Sequence, residues 1–277
     1  MHRFALFVDG SNLFGSLRTM SLRVDDYESF FQYIFDQAVL RWSETIRGIQ
    51  PQAQLFRVYW YEVGTMDQWD LADVKAQAHL RDRFEGDREI RRTYMALAGQ
   101  KLKGASQDKI AAEAWAMCYA ECKSWYEYKS GILEGMRRFH HAIRNGTDFI
   151  DVIECGHWKV DLLHRSLEEK GLDTTLAVDM VAMERNYDVA VILSGDSDHI
   201  PSINYMKERA KHVAAVEFLS GYPPEKRGRS FSSHLKLAAD FVVQIYEMEL
   251  VKEGLAKKES APAAAALPQA IKALPAQ

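Results

Sequence analysis

Two stretches far apart in the chain end apolar runs abruptly in carboxylates. One is Phe4-Ala5-Leu6-Phe7-Val8-Asp9-Gly10-Ser11-Asn12, and the other is Val189-Ala190-Val191-Ile192-Leu193-Ser194-Gly195-Asp196-Ser197-Asp198. Each reads as the end of a buried strand, and open parallel α/β sheets place their sites at the carboxyl ends of strands. Asp9, Asp196 and Asp198 are therefore expected to converge on one cleft. Asp173 and Asp179 follow Lys170-Gly171 on a helical stretch. Asp173, at the first turn, can point into the same cleft. Six residues of helix are about 600° of rotation, so Asp179 faces elsewhere and reaches the cleft only from beside it. Crowded carboxylates repel one another unless a cation joins them. The expected ion is magnesium or manganese, because the set is oxygen-rich and the chain has no Cys/His cluster that favours zinc. Asn12 and Ser194 are neutral groups that can orient carboxylates or bound water, and Asn12 can cap a helix starting just after it. Taken singly, a strand-end Asp is ordinarily a turn or cap residue. The weight lies in the series.

Positioning these acids requires a particular order of elements. Residues 3–9 read as a buried strand. Residues 26–47 read as a helix, with Tyr27, Phe30, Phe31, Ile34, Phe35, Ala38, Val39 and Trp42 spaced by threes and fours. Residues 53–63 form a second strand, rich in β-branched and aromatic residues. The spacing then predicts helices over 67–92, 107–128 and 133–143, with turn residues at 99–106. Strand character returns at 149–154, and 173–187 reads as a helix. The pattern ends with strands at 189–193, 213–218 and 241–245, helices at 200–211 and 234–239, and a loop at 220–233. Alternating strands and helices point to an α/β fold with a parallel sheet and helices on both faces. The expected organisation is one domain over 1–250, a helical insertion over about 65–147, and a flexible Ala/Pro-rich tail over 254–277.

The totals exclude little and fit this reading. With 277 residues and a net charge of −4, the chain can form one large domain, and any nucleic-acid contact must come from a local patch. The three cysteines have no zinc-ligand spacing and fit a reduced, cytoplasmic chain. The first strand begins within three residues, leaving no room for a signal peptide. No apolar run approaches the roughly 20 residues of a membrane span. Exposed apolar positions in the insertion are compatible with a homodimer.

Three motifs carry a resemblance. Phe7-Val8-Asp9-Gly10-Ser11-Asn12-Leu13 resembles the opening motif of the NYN domain, the PIN-like nuclease branch that includes LabA-like bacterial proteins. Lys170-Gly171-Leu172-Asp173-Thr174-Thr175-Leu176-Ala177-Val178-Asp179 is similar to that family's middle motif, and Ser194-Gly195-Asp196-Ser197-Asp198 to its third. Order and spacing also agree, over residues 1–63 and 148–246. The resemblance implies a Rossmann-like PIN fold and metal-dependent cleavage of RNA phosphodiesters. It implies an acidic centre of Asp9, Asp173, Asp196 and Asp198, supported by Asn12 and Asp179. His199 departs from the pattern, since the family usually has an aromatic or other apolar residue there. The long insertion is a second departure.

On this reading, carboxylate-bound magnesium or manganese activates a water, and no protein nucleophile is required. Lys170, Lys226, Arg227 and Arg229 are candidates for phosphate binding. The last three lie in a loop with Tyr222 and Phe231 at its ends, which can meet a phosphate backbone and stack on a base. Glu62, at the end of the second strand, is a further candidate for the edge of the cleft. Competing readings are a nonenzymatic RNA-binding or regulatory module, and a DNA-directed nuclease, because no residue evidently reads a 2′-hydroxyl. A phosphohydrolase of the haloacid-dehalogenase kind needs a second Asp two residues after the first, and position 11 is Ser.

Overall fold

Strands that are buried on both faces need unbroken apolar sequence, and the longest such runs form the centre of the sheet. A computed structural model describes residues 1–45, 52–224, 231–259 and the backbone of 227–228. The elements are β1 (His2–Asp9), α1 (Gly10–Thr19), β2 (Leu22–Arg23), α2 (Tyr27–Thr45), β3 (Ala53–Met66), α3 (Val74–Gly86), α4 (Arg88–Lys101) and α5 (Gln107–Gly146). They continue as β4 (Ile150–Asp161), β5 (Ser166–Lys170), α6 (Leu172–Ala182), β6 (Val189–Leu193), α7 (Ile200–Glu208), β7 (His212–Ser220), β8 (Arg227–Gly228), α8 (Ser233–Ala238), β9 (Phe241–Tyr246), α9 (Glu247–Lys252) and β10 (Lys257–Lys258).

The chain folds as two compact units. The first comprises the described residues of Met1–Tyr61, Ile143–Ile153 and Asp173–Gln277. Here β1 pairs in parallel with β3 on one side and β6 on the other. β7 pairs in parallel with β6 and β9, and β8 is antiparallel to β7. β1 is fully buried from Phe4 to Val8. The apolar face of α2 covers it, with the Phe4 ring edge-on to Phe35 at 5.4 Å and to Trp42 at 5.5 Å. At the amino ends of the central strands, Arg3 donates its backbone N–H (2.9 Å) and its guanidinium (3.2 Å) to Asp188, tying β1 to β6. Residues 254–259, read from composition as the start of the tail, include β10, which pairs antiparallel with β2.

The second unit comprises Glu62–Ala142 and Glu154–Leu172. Its core holds Leu80 and Phe84 of α3, Tyr94 of α4 and Cys118 and Cys122 of α5. β3 and β4 both run into this unit and approach closely. A Cβ on Gly64 would lie 2.7 Å from the Glu154 Cβ, and one on Gly156 would lie 3.0 Å from Val63 Cγ2. The hairpin partner β5 is antiparallel to β4. Among the described residues, no helix is long and apolar enough to cross a membrane.

Several local expectations change. The helix expected over 67–92 is two helices: residues 67–73 are not helical, α3 starts at Val74, and Asp87 ends it and caps α4. The two helices expected over 107–143 are one 40-residue helix, α5. The strand expected to end at 154 continues to Asp161.

Candidate metal centre

The parallel register fixes the first part of the site. Val8 of β1 lies opposite Leu193 of β6, so Asp9 and Ser194 leave the sheet side by side. Ser194 Oγ donates to Asp9 Oδ2 at 3.1 Å and accepts the backbone N–H of Asp196 at 3.2 Å. The other carboxylate oxygen, Asp9 Oδ1, accepts the backbone N–H of Asn12 at 2.9 Å. Asp9 is therefore the N-cap of α1. The expectation that Asn12 caps this helix is corrected: α1 begins at Gly10, and Asn12 supplies a backbone donor from inside its first turn.

The second part comes from α6 and the turn after β6. Asp173 lies in the first turn of α6. Asp196 caps a short 3-10 turn, Ser197–His199, by accepting the N–H of Asp198 at 3.1 Å. That turn drives the His199 ring inward to full burial and leads into α7, which has a proline in its first turn.

These elements bring Asp9, Asp173 and His199 together. One potential ligand atom from each lies within 4.8 Å of the other two. Asp9 is buried and Asp173 half-buried. Burial raises the Asp173 carboxyl pKa, His199 opposes that rise, and the charges of Asp196 and Asp198 add to it. Burial lowers the His199 pKa against the pull of the same acids, so at neutral pH the ring is neutral and keeps a nitrogen lone pair. The His199 Nε2 lies 3.6 Å from Asp173 Oδ1. Among the described residues, neither ring nitrogen of His199 has a hydrogen-bond partner. Two carboxylates and a neutral imidazole are a donor set that fits a divalent cation.

The other expected residues fall in different places. Asp196 and Asp198 are exposed and stand outside that three-residue group, although their charges reach Asp173 and His199. Asp179 accepts the Tyr61 hydroxyl at 3.2 Å. Lys170 is exposed at the end of β5 and pairs with Glu168 of the same strand. Lys226, Arg229 and the Arg227 side chain lie outside the described residues. Glu62 is buried in the second unit, with its Oε2 3.8 Å from His140 Nε2. A groove of about 850 Å³ between α6 and α7 is lined by Asp173, Asp198, Val178, Pro201 and Tyr205. Its walls are mostly apolar, while two site acids stand at its edge.

His199 is the residue that the motifs pass over. Its signal in the sequence is its position, directly after Asp198.

The model of the NYN domain matches residues 3–246. The chain belongs to the NYN domain family. NYN domains form a PIN-like nuclease family, and the α/β sheet described above has that type of fold. Among curated proteins, no sequence matches this NYN protein. One solved structure, of a protein of unknown function from Vibrio parahaemolyticus, is 16% identical, covers 88% of this chain and 93% of its own, and superposes with a TM-score of 0.39.

Proposed function

We propose that this NYN protein is a metal-dependent ribonuclease that hydrolyses RNA phosphodiester bonds endonucleolytically. Magnesium or manganese would be held by Asp9 and Asp173, with Asp196 and Asp198 completing the acidic centre. The observation that carries this reading is the meeting of Asp9 and Asp173 within 4.8 Å, from elements far apart in the chain. When bound, a divalent cation supplies positive charge to the phosphate and acidifies an attacking water.

The chain's own residues do the positioning. Asp9 is held at both oxygens, by Ser194 and by the amino end of α1, so its orientation is fixed before substrate arrives. Asp196 and Asp198, exposed at the rim, can accept hydrogen bonds from water entering the site. The groove between α6 and α7 offers apolar wall and the half-exposed Tyr205 ring to a base next to the cut phosphate.

The test is a panel of single-stranded and structured RNA and DNA, incubated with magnesium, manganese or chelator. Wild type is compared with Asp9→Asn. RNA cleavage that needs metal and falls at least about 100-fold in the variant, or about 2.7 kcal/mol of transition-state stabilisation, supports the proposal. The variant's circular dichroism should be unchanged. Full activity of folded Asp9→Asn refutes it. Tight RNA binding without turnover in any metal favours a nonenzymatic RNA-binding module, and cleavage confined to DNA moves the substrate class.

A further inference from the structure

His199 is poorly explained by packing. Its side chain is 0% exposed, and both ring nitrogens lack hydrogen-bond partners among the described residues. Burying a polar ring in that condition carries a penalty that a hydrocarbon ring of similar size avoids. The 3.6 Å from Nε2 to Asp173 Oδ1 is too long for a hydrogen bond. It is close to the spacing of two ligands on one ion. Ligands about 2.1 Å from a common cation lie about 3.0 Å apart at a right angle and about 3.4 Å apart at a tetrahedral one. The third member of the group, Asp9, is held by Ser194 and the α1 amino end at the same place.

We infer that His199 is a nitrogen ligand beside Asp9 and Asp173, and that it makes this centre select a first-row transition cation over magnesium. The inference rests on the metal-dependent reading above and narrows its cofactor. Magnesium is held almost entirely by oxygen, dehydrates reluctantly and gains little from imidazole. Imidazole suits the first-row ions from iron onward best, and manganese stands at the weak end of that series. A centre built only from aspartates would bind both classes through oxygen. His199 adds a nitrogen donor to the two carboxylates, with its Nε2 turned toward Asp173.

The experiment measures manganese and magnesium binding to the full chain by titration calorimetry, for wild type and His199→Phe. Wild type should bind manganese more tightly than magnesium. His199→Phe should weaken manganese binding by about tenfold or more and leave magnesium within about twofold. His199→Gln, a smaller polar change, serves if the Phe variant fails to fold. Pulsed electron paramagnetic resonance of manganese-loaded wild type needs no variant, and should show coupling to an imidazole nitrogen. Manganese bound without that coupling, or magnesium bound as tightly as manganese, overturns the inference and leaves a metal-dependent nuclease standing. Failure of wild type to bind either ion overturns both.

Discussion

The replacement Asp173→Asn should make the metal-free protein more stable, which is unusual for a substitution at a candidate site. One carboxylate oxygen of Asp173 lies within 4.8 Å of one on Asp9. Two unit charges at that distance repel by about 3.5 kcal/mol at an effective dielectric of 20, and by about 0.9 kcal/mol in bulk water. The Asp173 side chain is 47% exposed, so solvent screening places the repulsion between these limits, at about 1–3 kcal/mol. Asp196 and Asp198 push in the same direction. Against this, Asp173 sits in the first turn of α6, where a negative charge gains about 0.3–1 kcal/mol from the helix dipole. The net expectation is a gain of about 0–2.7 kcal/mol, centred on about 1 kcal/mol, or about 2–4 °C in Tm.

The pH dependence has a definite sign. Burial, opposed by His199 and reinforced by the neighbouring acids, raises the folded pKa of Asp173 above its unfolded value. The penalty is therefore absent at low pH, where the carboxyl is protonated in both states. It grows as pH rises through the carboxylate range. Wild type in chelator should lose stability over that interval relative to Asp173→Asn. Metal reverses the order, because a cation at 100 times its Kd stabilises the wild type by about 2.7 kcal/mol. That is about 5–10 °C in Tm, and the variant, short of one ligand, should gain much less. Thermal melts of both proteins in chelator and in manganese, at several pH values, make the measurement. A variant that melts lower than wild type in chelator and responds to manganese equally would refute a shared, repulsive, cation-seeking pair.

Two further perturbations probe the frame. Gly64→Ala would place a Cβ 2.7 Å from the Glu154 Cβ and 3.2 Å from its carbonyl oxygen. It should cost about 1–3 kcal/mol in urea denaturation, and a neutral result would mean that β3 and β4 have room to separate. At the other end of the sheet, burial raises the Asp188 pKa, but the hydrogen bonds from Arg3 outweigh it and hold the carboxyl below its usual value of 3.8. Its stabilising contribution is fully present above that value and is lost as pH falls through the lower, folded one. The stability gap between wild type and Asp188→Asn should therefore be constant near neutrality and shrink in acid, and a gap that widens in acid would count against the Arg3 pairing.

The parts of the fold that were legible are those where burial leaves no freedom in sequence. β1 is apolar from Phe4 to Val8, and β6 throughout, because parallel neighbours flank each of them, so their ends, and the polar residues just beyond, could be read directly. The helices expected over 107–128 and 133–143 are joined through Ser130-Gly131 into α5. A glycine inside a helix costs only about 1 kcal/mol. Gly131 is exposed, and Tyr126 and Leu133 on either side of it are buried, so packing holds the helix through it. The closeness of Asp9 to Asp173 followed from strand ends and a helix start. The place of His199 did not, because a histidine in an apolar slot resembles packing until the carboxylate opposite it is known.

Asp9 shows why the cap and the candidate ligand coincide. An N-cap needs a short side chain whose oxygen reaches the N–H three residues on, which Asp provides. Here that oxygen is Oδ1, bonded to Asn12, while Oδ2 takes the Ser194 hydroxyl. Both bonds hold the carboxylate in one orientation. The same two bonds join the end of β1 to the start of α1 and to the chain leaving β6. The orientation of Asp9 at the centre is thus set by the contacts that turn the chain out of the sheet. Lengthening this residue to Glu would displace the carboxylate from all of them at once, which is why the strand ends in the shorter acid.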